Sequence, residues 1–345
     1  MQKCLAWFTR QGHEIKTMDR IITRAVPCCI RCGSAGSIYQ DGVCDPDGLI
    51  PGTWRYRRCD NPDCGLAWLD PAPLPGELWK AYTHYHTHTK SRPSKLSRIA
   101  GSLYNRACRT AMLPLWLASG LRREVRQMRL MMLGNLPAGQ LLDIGCGGGR
   151  YLRRMQRKGW QVTGIDFDEQ ATRRVRDKFG IEAYTGDLVD AHLPDASFDA
   201  ITMSHTIEHL TDPAATLREC LRILKPGGRL VIVTPNLESR AARLFGPYWR
   251  GWEPPRHLHL FAVRTLQQML LDSGFEVREA RSSAAVSAII YRVSHALQQP
   301  DANGLWTQLK LIPWSYREEL RDFRAQRAGK QTAQNLLAVA TRPIR

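Results

Sequence analysis

Residues 140–150 read Gln-Leu-Leu-Asp-Ile-Gly-Cys-Gly-Gly-Gly-Arg, and no other stretch constrains the fold as strongly. Leu141, Leu142 and Ile144 form the kind of apolar run that is buried in a parallel strand. Gly145, Gly147 and Gly149 then open a turn in which backbone can approach a ligand closely. Residues 151–158 continue as a helix, and 161–165 form a second strand ending in Asp166, 21 residues beyond Gly145. Strand, glycine turn, helix, strand and terminal acid make up the nucleotide-binding half of a doubly wound sheet, with the acid accepting from ribose hydroxyls.

Two residues argue against a dinucleotide. The fingerprint G-x-G-x-x-G needs glycine where Arg150 stands. Asp143 places a carboxylate at the strand end beside the turn. That charge disfavours a pyrophosphate and favours a ligand carrying an amino acid ammonium.

With these features, Leu141-Leu-Asp-Ile-Gly-Cys-Gly-Gly-Gly149 resembles the first motif of class I S-adenosylmethionine-dependent methyltransferases. Ile165-Asp166 is similar to the acidic second motif, and Gly186-Asp187-Leu188 to the adenine-contacting motif. Phe198-Asp199-Ala-Ile-Thr-Met203 resembles the fourth strand, and Leu224-Lys-Pro-Gly-Gly-Arg-Leu-Val-Ile-Val233 the turn into the fifth. The resemblance implies an α/β fold: a doubly wound, seven-stranded, mostly parallel sheet with one antiparallel strand. Residues 335–341 look like that last strand, which makes about 281–333 an insertion before it. It also implies S-adenosylmethionine as cofactor. Asp143, Gly145, Gly147 and Gly149 would then hold its methionine part, Asp166 its ribose, and Asp187 and Leu188 its adenine, with Cys146, Phe167 and Ser204 as further cofactor-binding residues.

Methyl transfer is an in-line displacement, so the protein mainly aligns the nucleophile and excludes water. A general base is needed where the acceptor is a hydroxyl. Candidates follow the fourth strand in Ser204-His205-Thr-Ile-Glu208-His209, joined by His257 in Pro254-Pro-Arg-His-Leu-His-Leu-Phe261. Histidine titrates near neutral pH, which suits His205, His209 and His257 to that role. Some relatives use a Glu-x-x-Glu-His pattern to bind Mg²⁺, but His205 stands at its first position here, and a metal-free pocket is favoured over a catalytic Mg²⁺. The loop 245–257 carries Tyr248, Trp249 and Trp252 with Arg250 and Arg256. It reads equally as a stacking surface for a sugar or as a Pro-rich structural lid.

Six of the ten cysteines lie between 28 and 64. Cys29-Ile-Arg-Cys32-Gly33 and Cys59-Asp-Asn-Pro-Asp-Cys64-Gly65 are two short loops separated by 26 residues, a spacing that suits a closed structural zinc site. Disulfides are the competing reading, disfavoured in a reducing compartment. This zinc-ribbon-like segment, with Leu69-Asp-Pro-Ala-Pro and the stretch 254–261, resembles a bacterial subgroup with an N-terminal cysteine module, including members linked to polysaccharide and sugar modification. The alternating His84, His86 and His88 read as a solvated linker rather than a metal site.

The 345 residues divide accordingly into an N-terminal extension (1–25), a zinc-ribbon-like module (26–75), a linker and helical connector (76–130), and a methyltransferase domain (131–345). Lys and Arg number 49 against 32 Asp and Glu, a net charge of +17. Residues 1–140 contribute +10, 141–280 only +1 and 281–345 +6, so the surplus belongs to the flanks of the cofactor core. No apolar run approaches the roughly 20 residues needed to cross a bilayer, and no signal peptide is recognisable, so the expected location is cytoplasmic. Apolar-plus-basic stretches at 113–129 and 286–293 leave a peripheral contact with the inner face of a membrane open. The expected acceptor is a small molecule, sugar or lipid-linked glycan, methylated on oxygen. An RNA or DNA methyltransferase and a non-catalytic cofactor-binding partner protein are the alternatives. Nucleic acid is disfavoured because no nucleic-acid module is recognisable. The oligomeric state is open.

Overall fold

Short apolar runs of Val, Ile and Leu between helical segments build a sheet buried on both faces, because each parallel strand needs a crossover that covers it. The computed structural model describes residues 21–82, 106–300 and 305–344, apart from 109, 113 and 115. Residues 1–20 and the histidines at 84, 86 and 88 lie outside the described residues. The chain divides into two units built from interleaved segments: 1–124, 236–260 and 282–335 in one, and 125–235, 261–281 and 336–345 in the other.

The second unit holds the expected sheet. Its strands are β6 (Gln140–Ile144), β7 (Gln161–Asp166), β8 (Glu182–Thr185), β9 (Phe198–Ser204), β10 (Leu224–Pro235), β12 (Glu276–Ser283) and β13 (Asn335–Thr341). Their spatial order is β12-β13-β10-β9-β6-β7-β8. The pairs β6–β7, β6–β9, β7–β8 and β9–β10 are all parallel. β13 runs antiparallel to β10: at one end the Gly227 N–H donates to the Arg342 carbonyl and the Arg342 N–H to the Gly228 carbonyl, and at the other the Asn236 N–H donates to the Gln334 carbonyl. The order reverses direction at β6 and β9, which makes the carboxyl ends of those strands the switch point where ligands bind in such sheets.

Crossover helices start and stop on local chemistry. In α3 (Glu169–Phe179) the Asp168 carboxylate caps the start by accepting from the Gln170 N–H at 2.8 Å, and Gly180 ends it in a left-handed conformation. In α4 (Pro213–Ile223) Asp212 accepts from the Ala215 N–H at 2.8 Å, and proline occupies the first turn, where its missing N–H costs nothing.

The first unit contains a four-stranded antiparallel sheet, ordered β11-β4-β3-β2. Its strands are β2 (Gly36–Val43), β3 (Trp54–Cys59), β4 (Ala67–Leu69) and β11 (His259–Leu260). β1 (Thr23–Arg24) pairs with β5 (Ala72–Pro73). The helices are the first turns of α1 (Leu121–Arg129), α5 (Arg240–Phe245), α7 (Ser287–Gln298) and α8 (Leu305–Arg327). One apolar core joins all three segments, with Val43, Tyr56 and Leu69 against Phe245, Trp249, Trp252 and Tyr291. The Tyr56 hydroxyl donates to the carbonyls of Trp252 (2.6 Å) and His257 (2.8 Å), closing a buried bond between residues about two hundred positions apart. Among the described residues no helix is long and apolar enough to cross a membrane.

Candidate active site

At the switch point the glycine turn is dictated by crowding. Gly145 has φ +76°, and a Cβ there would stand 2.2 Å from Oγ1 of Thr206. Gly149 has φ +71°, with its would-be Cβ 2.8 Å from Cγ2 of Val175. Only glycine meets both demands. The N–H groups of Gly145 and Cys146 both donate to the Ile165 carbonyl, at 2.8 and 3.0 Å, tying the turn to the end of β7.

Two carboxylates flank that turn. Asp166 accepts from the Gly147 N–H at 2.8 Å and from the Asp168 N–H at 3.0 Å. Burial raises its pKa, partly offset by these backbone bonds. Asp143 lies beneath the turn, where the Thr202 hydroxyl donates to it at 2.6 Å. Burial pushes the Asp143 carboxyl up to about 7, against the Thr202 bond and with the help of nearby Asp166. A cationic ligand beside this pair would favour the ionised forms, consistent with a site for an ammonium and a sulfonium.

The remaining expected cofactor residues occupy the same edge of the sheet. The Gly186 N–H donates to the Asp166 carbonyl at 3.1 Å, which fixes the turn bearing exposed Asp187 and buried Leu188. Phe167 is about half exposed directly after β7, and Ser204 is exposed at the end of β9. Cys146 faces the other way, into a cluster with Leu152, Val175, Ile181 and Ala183, where burial pushes its thiol pKa up. Its side chain is core, so only its backbone can serve the cofactor.

Beyond β9 the structure brings His205 and Glu208 together. Nδ1 of His205 lies 3.3 Å from Oε1 of Glu208, and the Thr234 hydroxyl donates to Oε2 at 2.8 Å. Glu208 is completely buried and His205 about half exposed. His205 itself sits at φ +56°, a strained conformation for a non-glycine residue, pinned by its N–H bond to the Val233 carbonyl at 2.8 Å. His209 follows in the same turn, its N–H bonded to the Thr206 carbonyl at 2.9 Å. Thr202 and Thr234 were not foreseen as site residues. A hydroxyl inside an otherwise apolar strand is the only sequence signal that could have marked them.

His257 belongs to the other unit. There its Nδ1 is 2.8 Å from the Gly251 carbonyl, and its Nε2 is 3.7 Å from Oε2 of Glu253. The loop around it settles the reading left open by the sequence. Trp249 and Trp252 are buried in the core. Arg256 is wholly buried, bonded to Asp45, to Asp47 (3.2 Å), to Glu253 (3.1 Å) and to the Ala81 carbonyl (3.3 Å). This loop is a structural element, and Arg256 is not free to hold a ligand phosphate.

The four cysteines also converge. Sγ of Cys29 is 3.6 Å from that of Cys64, and Sγ of Cys32 is 3.4 Å from that of Cys59, with all four within 4.8 Å of one another. A tetrahedral zinc with Zn–S bonds of about 2.3 Å needs S···S edges of about 3.8 Å, so the donor set fits that ion. Burial pushes the Cys29 thiol pKa up and that of Cys59 to about 11. At Cys32 burial acts the same way, but hydrogen bonds led by Ser34 outweigh it and bring the thiol down to about 6.

A family model described as a methyltransferase domain matches residues 117–280. A ubiquinone biosynthesis O-methyltransferase of Alkalilimnicola ehrlichii is 36% identical over 115 residues, which is 32% of this chain and 47% of that protein. A malonyl-[acyl-carrier protein] O-methyltransferase of Serratia marcescens is 28% identical over 217 residues, covering 63% of this chain and 80% of that protein. The chain spans about half the length of several curated relatives it matches, 52%, 47% and 49% in three of them. Among solved structures, an S-adenosylmethionine dependent methyltransferase from Mesorhizobium loti aligns with TM-score 0.44 and 23% identity, over 62% of this chain and 96% of that one. With the strand order and the glycine turn between two buried carboxylates, the match identifies residues 117–280 as a methyltransferase domain of the class I, S-adenosylmethionine-dependent kind.

Proposed function

We propose that the chain transfers a methyl group from S-adenosylmethionine to an oxygen of a small-molecule, sugar or lipid-linked glycan acceptor. The observation that carries the oxygen assignment is the His205–Glu208 pair after β9. A hydroxyl must lose a proton as it attacks, and an imidazole whose Nδ1 faces a buried carboxylate at 3.3 Å favours Nε2 as the proton acceptor. The cofactor supplies an electrophilic methyl group on a sulfonium. Asp143 and the turn from Gly145 to Gly149 orient its methionine part, Asp166 and Phe167 the ribose, and Asp187 and Leu188 the adenine. Ser204 and His209 line the acceptor side. As the acceptor hydroxyl attacks the methyl carbon, Nε2 of His205 would take its proton. Both O-methyltransferase relatives support the choice of oxygen.

Cys29, Cys32, Cys59 and Cys64 hold one structural zinc in this reading. With four protein ligands it has no open position, so it folds the N-terminal segment and takes no part in catalysis.

The test uses tritiated S-adenosylmethionine with a panel of hydroxylated sugars, glycan lipids and phenols, followed by analysis of the labelled bond. An oxygen–methyl product whose formation depends on His205 is expected. Label on nitrogen or in added RNA, or no binding of S-adenosylhomocysteine by calorimetry, would overturn the proposal.

A further inference from the structure

Helix α8 sorts its charges by face. Lys310, Arg317, Arg321, Arg324 and Arg327, with Lys330 just beyond its end, are all exposed. Every acid of the same stretch points inward: Glu318, Glu319 and Asp322 are 5%, 3% and 1% exposed. Those acids are already engaged. Arg240 bonds to Glu318 and to Asp322 (3.1 Å), and the Tyr291 hydroxyl donates to both Asp322 oxygens at 3.0 Å. On the outward side only Arg321 reaches one of them, at 3.2 Å from Oε1 of Glu318.

At about 100° per residue, Lys310, Arg317, Arg321 and Arg324 fall within an arc of about 60° along roughly 21 Å of helix. Arg327 extends the row and bonds to the Ser119 carbonyl at 3.2 Å, beside the segment that exposes Arg122 and Arg123. A solvated face ordinarily mixes both signs. Like charges three and four residues apart repel, and an anionic partner relieves that repulsion.

We propose that this face docks the protein on an anionic phospholipid surface. The row is convex, and among the described residues it carries no exposed aromatic ring on which a base could stack. Helix α7 packs antiparallel against α8, with Tyr291 bonded to Asp322 and Arg292 to Ser315 (3.0 Å). At its start, Val286 and Ile289 are 53% and 48% exposed. Aliphatic side chains of this kind suit the headgroup–acyl boundary and offer nothing to a phosphate backbone in water. The inference rests on the basic row and the exposed aliphatic residues beside it, and stands whether or not the acceptor is lipid-borne.

Co-sedimentation of the full chain with phosphatidylglycerol-containing vesicles, against pure phosphatidylcholine, tests it. Binding to the anionic vesicles only, weakened by salt, is expected. The variant Lys310→Gln, Arg317→Gln, Arg324→Gln should lose roughly 100-fold in partitioning, each charge near the surface contributing several-fold. Its S-adenosylhomocysteine affinity should be unchanged. Equal binding to neutral vesicles, no binding to anionic ones, or undiminished binding by the variant would overturn the proposal. So would tighter binding to a short RNA that the same variant abolishes. Failure of the wild-type chain to bind S-adenosylhomocysteine would strike the methyltransferase reading and leave this one intact.

Discussion

Nδ1 of His205 lies 3.3 Å from Oε1 of Glu208, which brings a half-exposed imidazole to a carboxylate that water does not reach. The Thr234 hydroxyl holds the other oxygen of Glu208 and fixes the carboxylate plane. A base oriented in this way fails by steps. His205→Asn should lower kcat about 10²–10⁴-fold, the usual worth of general acid–base catalysis, while cofactor affinity changes little. Glu208→Gln keeps a hydrogen bond to Thr234 but can present an amide N–H to the imidazole, favouring the wrong tautomer. It should reduce kcat less than His205→Asn, with the double variant no worse than His205→Asn alone. Single-turnover rates for the three proteins check this, and additive losses would refute the coupling.

Asp143 predicts a pH dependence. Its carboxyl stands at about 7 in the folded chain, against about 3.9 in an unfolded one. The folded state therefore binds more protons between those values, and its stability falls as pH rises from about 4 to about 7. Asp143→Asn should flatten that part of the stability–pH curve in urea titrations of the ligand-free protein. Because a cationic ligand favours the ionised carboxylate, S-adenosylmethionine should bind more tightly as pH rises through 7 and release protons on binding. Calorimetry in buffers of different ionisation enthalpy measures the release, which Asp143→Asn should remove.

The features legible in the sequence were those encoded within short stretches. The glycine turn at 145–149 and the acid at 166 lie within one strand–helix–strand repeat, and each cysteine pair sits in one loop. The core of the first unit was not legible, because Tyr56 meets Trp252 and Arg58 meets Glu238 (2.5 Å) across about 180 to 200 residues. Aromatics in the 245–257 loop look the same in sequence whether they stack on a ligand or fill a core, and only burial separates the two. Charge was legible as a sum but not as a face: the surplus of the last segment resolves into a basic outer row on α8 only once Glu318, Glu319 and Asp322 are seen to point inward. Thr202 and Thr234 were missed because their bonds to Asp143 and Glu208 follow from strand register, which no single segment encodes.

The glycine turn yields a contrast between neighbours. Gly145→Ala places a methyl 2.2 Å from the buried Thr206 hydroxyl, which is itself committed to the Ile144 carbonyl at 2.9 Å. Steric overlap adds to a left-handed backbone, for a total near 2–4 kcal/mol. Gly147→Ala also has positive φ but meets nothing within 4 Å, so it should cost only about 1 kcal/mol. Urea unfolding of both variants measures the difference, and equal losses would remove the crowding argument.

Zinc predicts loss of structure. Cys59→Ser removes one of four converging sulfurs and leaves the others unable to close a tetrahedron. The wild-type chain should carry about one zinc per molecule, and the variant should lose it together with protease resistance over residues 26–75. Metal analysis of freshly purified protein that finds no zinc would end this reading.

Arg256 gives the last prediction. It is a buried cation among the carboxylates of Asp45, Asp47 and Glu253. Burial already raises the Asp45 pKa, and the Arg256 charge is the first influence holding it down. Arg256→Ala strands the acids without a counter-charge, at about 3–5 kcal/mol, whereas a buried pair replaced whole by apolar groups can be neutral. The stranded Asp45 carboxyl must then rise further, so the variant binds more protons folded than unfolded and should be hurt less at pH 5 than at pH 8. Asp45→Asn in the same background should recover part of the loss and remove the pH dependence. Thermal denaturation of the single and double variants across that range separates this account from simple loss of packing, which would leave the deficit independent of pH.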